Sequence, residues 1–322
     1  MPSAWVGVSG YTYNHWQGVF YPDDLPKSHR RQFAASQFNA IEINGSFYGM
    51  IGARAWARYR DAARDHPFRW AAKGNRYITH ARKLKDRTAL ANFFASGILD
   101  LGETMGPILW HIPPRTSWHP DIFGQFLEWL PKDSDAAYRL ARQHDDKVNE
   151  PRLRGTYAGP LQHVMEIRSH DMIRREMFDM LATADVGFVL TDAAADWPYA
   201  EEITAPLVYC RLHGHEQTYL SRYSDEQLDW WAARARAWMA GREWDRPVRA
   251  TDRPLDRRPH DVYFFFDNDG AGHAPFDARR LAERLGAVPA TAEDADSLFA
   301  RAPHGAQRKR EDAARSGLLR RR

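Results

Sequence analysis

Apolar positions along the chain follow two alternating periods. Eight short runs of β-branched, aromatic or apolar residues read as strands, at 5–9, 40–44, 68–73, 108–112, 164–168, 187–192, 207–213 and 262–267. Between them, apolar residues recur three and four apart, which predicts helices over 25–38, 53–65, 87–101, 120–130, 172–184, 225–240 and 278–285. Pro26 falls in the first turn of its helix, where a missing N–H costs nothing. "YSDEQLDWW" sets Ser224 three residues before Gln227, a capping box. Strand–helix alternation sustained through the chain argues for a parallel sheet. Eight such units predict an α/β protein, a single (β/α)8 TIM-like barrel. A doubly wound sheet would want a glycine-rich turn after the first strand, and "SGYTYNHW" is not one. The rhythm breaks once, after the fourth strand. There residues 131–160 predict an inserted helix (134–146) and a loop, and not a second domain. One domain over 1–300 is expected, followed by a basic, flexible tail at 301–322.

Composition changes this picture little. A single cysteine, Cys210, rules out an internal disulfide and any multi-cysteine metal site, and fits a reducing cytoplasm. The chain opens directly on a strand-like run, so no signal peptide is expected, and no apolar run reaches membrane-helix length. The formal charge of +3 is misleading: residues 308–322 hold seven Lys/Arg against two Asp/Glu, so the rest of the chain is net −2. A continuous basic surface for nucleic acid is not promised by that count, although a nucleic-acid partner stays open. Oligomeric state is not legible.

Parity along the strands brings in the chemistry. If one face of each strand points into the barrel, the inward residues near the strand ends are Ser9, Glu42, Asn44, Lys73, His111, Glu166, Arg168, Asp192, Arg211, His213 and Asp267. The opposite face carries Val6, Val8, Ile41, Ile43, Met165, Ile167, Val208, Cys210 and Leu212. Nearly every strand delivers a polar group at its C-terminal end, where barrel active sites sit. Tyr11, Tyr13, Trp16, Tyr21, Tyr48, Trp197 and Tyr219 follow strands and are expected to rim the mouth, as rings that stack on flat or sugar-like ligands. Glu166, Arg168, Arg211 and His213 are expected to form one coupled network at the mouth, with Lys73 and Glu42 across from it. Removing the Glu166 and Arg168 charges together should then recover much of the stability lost by removing Arg168 alone.

These residues carry a resemblance. "VGVSGYTYNHWQGVFYP", "EINGSFYG", "KGNRYITH", "GPILWHIPP", Glu166 with Arg168, Asp192, "YCRLHG" and "FDND" with Asn268 occur in the order found in the YecE-like family, also called domain of unknown function 72. The resemblance covers about 5–286 and implies a TIM-like barrel without supplying a reaction. It adds His80 and Asn268 to the candidate ligand-binding positions. Three departures stand out. His111 replaces a usual Gln, "RSHDM" replaces a pattern ending in Trp, and Asp267 replaces a common Asn. They predict an added titratable imidazole and an added carboxylate at the mouth.

Three readings of the chemistry stay open. A hydrolase or lyase for a phosphorylated or nucleic-acid-derived ligand would use Glu42 or Glu166 as base and His213 as acid, with Lys73, Arg168 and Arg211 stabilising charge. A glycoside-type hydrolase would use Glu42 and Glu166 as its carboxylate pair. A non-catalytic protein would use the same groups to bind a small anionic or sugar-like ligand. The cofactor is unknown. The carboxylates and imidazoles have the atoms to hold a divalent metal, but three cations in the same ring oppose one.

Overall fold

The computed structural model describes residues 1–242, 244–294 and 297–298; the expected tail at 301–322 lies outside them. Strands β1 (Ala4–Ser9), β2 (Ala40–Ile43), β3 (Arg69–Lys73), β4 (Met105–Ile112), β5 (His163–Ile167), β6 (Val186–Asp192), β7 (Leu207–Leu212) and β8 (Asp261–Phe266) pair in chain order. All neighbours are parallel and β8 closes on β1, so the (β/α)8 barrel is observed. Gly7 permits the close approach of β1 and β2: a Cβ there would collide with the Ala40 carbonyl.

The pleat sorts side chains as the sequence predicted, with one exception. Val6, Val8, Ile41, Ile43, Met165, Ile167, Val208, Cys210 and Leu212 all join the large apolar layer beneath the helices. Trp5, Ala40, Ala71, Leu109, Val164, Val189, Leu207, Tyr209, Tyr263 and Phe265 fill the barrel interior. The exception is β6. Val189 points in, so Leu190 and Asp192 point out, and Thr191 takes the inward position beside Arg211.

Helices α1 (Arg30–Gln37), α2 (Gly45–Tyr48), α3 (Ala53–Asp61), α4 (Arg87–Ala95), α5 (Pro120–Trp129), α6 (Ser134–Ala141), α7 (Arg175–Thr183), α8 (Asp225–Met239) and α9 (Ala274–Leu285) connect the strands. The Ser224–Gln227 capping box opens α8. Helix 25–38 starts later than expected, because Pro26 caps a 3-10 turn that precedes α1. Helix 87–101 stops early: Gly97 adopts φ +98°, a left-handed conformation that ends the helix and starts a 3-10 segment. The inserted helix after β4 is α6, followed by a long loop into β5. Among the described residues no helix is long and apolar enough to cross a membrane.

Candidate functional site

The upper third of the barrel interior is charged. Tyr209 marks the boundary: its ring packs on Tyr263 and Phe265, and its hydroxyl donates to Glu42 Oε2 at 2.6 Å. Above it lies Arg211, which has no exposed surface. Its Nε and Nη2 hold Glu42 at 3.1 and 2.8 Å, and its Nη1 holds Glu166 at 3.0 and 3.1 Å. Nη2 also reaches Asp267 Oδ2 at 3.0 Å and Ser9 Oγ at 2.8 Å. Ser9 Oγ in turn donates to Glu42 Oε1 at 2.5 Å. His213 Nε2 lies 3.2 Å from Glu166, and its Nδ1 lies 3.1 Å from Asp267. One guanidinium thus ties together carboxylates from β2, β5 and the end of β8. Burial would push Glu166 up, but Arg168, Arg211 and the His213 hydrogen bond outweigh it and hold the carboxyl well below its ordinary range.

A second layer sits nearer the opening. Arg168 donates Nη2 to Glu166 at 3.0 and 3.2 Å and Nη1 to Tyr219 Oη at 3.3 Å. Its guanidinium stacks 3.5 Å from the Trp197 ring centroid. Lys73 Nζ lies 4.6 Å over the Phe47 ring, and no described residue accepts a hydrogen bond or forms an ion pair with it. Burial, with Arg211 nearby, lowers Lys73 to about 8. His111 stacks on Phe47 at 5.7 Å and meets His80 edge-on at 5.0 Å. Burial, with the neighbouring cations, takes His111 down to about 2. The imidazole expected to titrate is therefore held in its neutral form at ordinary pH. Buried polar atoms of the mouth without a hydrogen-bond partner include both ring nitrogens of His111, Arg168 Nε, Asn44 Oδ1 and Thr191 Oγ1. Asn44 spends its Nδ2 on Ser9 Oγ at 3.1 Å.

Several candidates lie elsewhere. Asp192, on the outward face of β6, accepts from Tyr223 Oη and pairs with His215 at 3.0 Å each. Asn268 donates to Asp277 at 2.8 Å and to the Ser221 carbonyl, bracing loops. Tyr11, Trp16 and Tyr21 do not rim the mouth, because apolar packing claims them. Trp16 and Tyr21 are fully buried among Phe20 and its neighbours, and the Tyr11 ring packs against Tyr59 and Trp70. Tyr48 is exposed, with Arg76 5.9 Å from its ring centroid. Sequence reasoning missed Phe47 and Thr191. Counting the parity of β6 from Val189 would have found Thr191.

The site is a poor metal cage. Arg211 stands between Glu42, Glu166 and Asp267, where a divalent cation would have to sit. Among the described residues no group of three or more His, Cys, Asp or Glu is arranged to hold a metal.

Comparison with known proteins places the chain. It matches solved structures of a DUF72 family protein from Thermotoga maritima (20% identity, TM-score 0.64, covering 88% of this chain and 99% of that one) and of one from Enterococcus faecalis. Two structures of the latter are each 14% identical, with TM-scores of 0.60 and 0.57, covering 88% and 89% of this chain and 95% and 98% of those. Identity this low speaks to the fold alone. No curated protein matches. The model of the family described as "protein of unknown function DUF72" matches residues 5–300, and the chain belongs to that family.

Proposed function

We propose that the barrel mouth binds a small anionic ligand, a phosphate or phosphate ester, between Lys73, His111 and Arg168. The carrying observation is a surplus of donors. The carboxylates below are engaged by Arg211, while the Lys73 ammonium, Arg168 Nε and the His111 ring lack acceptors. Buried donors without partners are costly, and an anion would satisfy them together. Lys73 is largely protonated at pH 7 and His111 offers one N–H. The Trp197 and Tyr219 rings beside Arg168 give the ligand an apolar or sugar-bearing edge to rest on.

The glycoside-type reading is weaker. A general acid must stay protonated near working pH, whereas Glu166 is held low and both its oxygens are taken. Hydrolysis of a phosphorylated ligand would be a further step of this reading, in which Lys73 and Arg168 stabilise the charge that develops on the phosphate.

Titration calorimetry with inorganic phosphate and ribose 5-phosphate tests the proposal. Lys73→Met and Arg168→Met should each weaken binding at least tenfold. No measurable binding by the wild type, or wild-type affinity in both variants, overturns it.

A further inference from the structure

A second concavity lies on the other side of the wall that carries Phe47 and His80. We infer that it binds a small amphipathic anion, an aryl or alkyl chain with one sulfonate or carboxylate head. The pocket is about 260 Å³ and is walled by Ile51, Trp56, Ile78, Ala89 and Phe93. Six polar side chains also line it, Ser46, Asn75, Tyr77, Asn92, Ser96 and Lys147, and four of them are engaged within the surrounding fold. Ser46 Oγ donates to the carbonyls of Ile43 and Lys73, and Asn75 Nδ2 donates to the Ser46 carbonyl. Asn92 exchanges two hydrogen bonds with Asp145, and Ser96 Oγ donates to the Phe93 carbonyl and accepts from Trp56 Nε1. The pocket therefore asks mainly for apolar surface.

Its outlet is charged. Through Met50, Ser96 and Lys147 it opens into a cleft of about 550 Å³ whose wall holds Arg54, Arg58, Lys147 and Glu150. Arg54 pairs with Glu150 at 3.7 Å and Lys147 with Asp145 at 3.2 Å, while Arg58 is exposed and in no ion pair with a described residue. An apolar slot beside Arg58, the one cation of the cleft wall in no ion pair with a described residue, is complementary to an amphiphile with an anionic head. The lip, Gly49 to Gly52, has glycines at both ends whose absent Cβ atoms would meet only open space. Bulk there would not be excluded by packing.

The inference does not rest on the anion site at the mouth, and the test separates them. The probe is 8-anilinonaphthalene-1-sulfonate, titrated against the folded chain and followed by fluorescence. One saturable site is expected. Ala89→Leu, which fills the slot, should weaken it at least tenfold, and Arg58→Glu at least threefold. Lys73→Met should change it less than twofold. Melting curves confirm that each variant is folded, since partly unfolded chains bind this dye indiscriminately. Arg58 is on the surface, so its variant carries the test if Ala89→Leu does not fold. Wild-type affinity in Arg58→Glu, or loss of binding in Lys73→Met, overturns the assignment.

Discussion

The two ends of the barrel each bury a pair of glutamates, and they bury them differently. At the N-terminal end, in the segment leading into β7, Glu201 accepts from Arg234 Nε at 2.5 Å, Trp244 Nε1 at 2.6 Å and the Val248 amide at 3.0 Å. Glu202 accepts from Arg249 at 3.1 and 2.6 Å and from the amides of Ala250 and Thr251. Each carboxylate has its own arginine, and apart from Tyr199 Oη, which donates to Glu201 at 3.0 Å, the other donors come from the α8–β8 loop that the pair pins down. At the C-terminal end one arginine serves Glu42, Glu166 and Asp267, and three donors nearby go unserved. A buried carboxylate is thus no mark of a site by itself; donors left without acceptors are. The first arrangement fixes a loop, and the second leaves donors that the proposed anion would satisfy.

The comparison breaks most violently at Arg211. In Arg211→Met three buried carboxylates lose their shared partner. The loss of stability should exceed the roughly 3–5 kcal/mol typical of one broken buried pair, read by urea denaturation. Glu201→Ala at the other end strands Arg234, Trp244 Nε1 and the Val248 amide, and should cost about 3–5 kcal/mol. It should leave phosphate affinity at the mouth unchanged within twofold. If it weakens that affinity tenfold, the two ends are not separable.

Lys73 should move the opposite way. Its folded-state value of about 8 lies below the ordinary 10.5. Between the two the unfolded chain holds more protons, so wild-type stability rises with pH across that window. Below about pH 8 both states are protonated and the folded state bears the full penalty, about 3 kcal/mol for such a shift. Lys73→Met should therefore be more stable than wild type by about that amount at pH 7. The advantage should vanish toward pH 10.5. Wild-type affinity for phosphate should decline above about pH 8, with uptake of one proton on binding, and that slope should be absent in the variant.

The fold was legible because two periods, 2 and 3.6, repeat eight times, and the inner and outer faces followed from parity. The site was legible where a strand is straight and paired to its end, as at Glu42, Lys73, Glu166 and Arg211. It failed at Asp192, because β6 is buried on both faces and its apolar run hides which parity points in. It failed at Tyr11, Trp16 and Tyr21 because the order of rings after a strand says nothing about which of them the β1 loop folds beneath itself. The partnering was legible in part: Glu166, Arg168, Arg211 and His213 were expected as one network, and they are joined by hydrogen bonds, but the reach of Arg211 to Glu42 and Asp267 was not. No spacing along the chain announces that a single arginine on β7 would gather carboxylates from three other positions.

That last point gives the smallest and most discriminating effect. From the sequence, removing both the Glu166 and Arg168 charges is expected to recover much of the stability that removing Arg168 alone would cost. In the structure Glu166 keeps two hydrogen bonds from Arg211 and a contact with His213 when Arg168 is gone. Arg168→Met should then lose mainly its stacking on Trp197, about 1–2 kcal/mol, along with tenfold or more in phosphate affinity. The double change Glu166→Gln with Arg168→Met separates the two pictures. An isolated pair predicts that stability returns once both charges are removed. The network predicts the reverse: Arg211 now lacks one of its three carboxylates and His213 faces an amide, so the double variant should be less stable than Arg168→Met alone. A denaturation midpoint restored to that of the wild type would mean that Arg211 does not depend on Glu166.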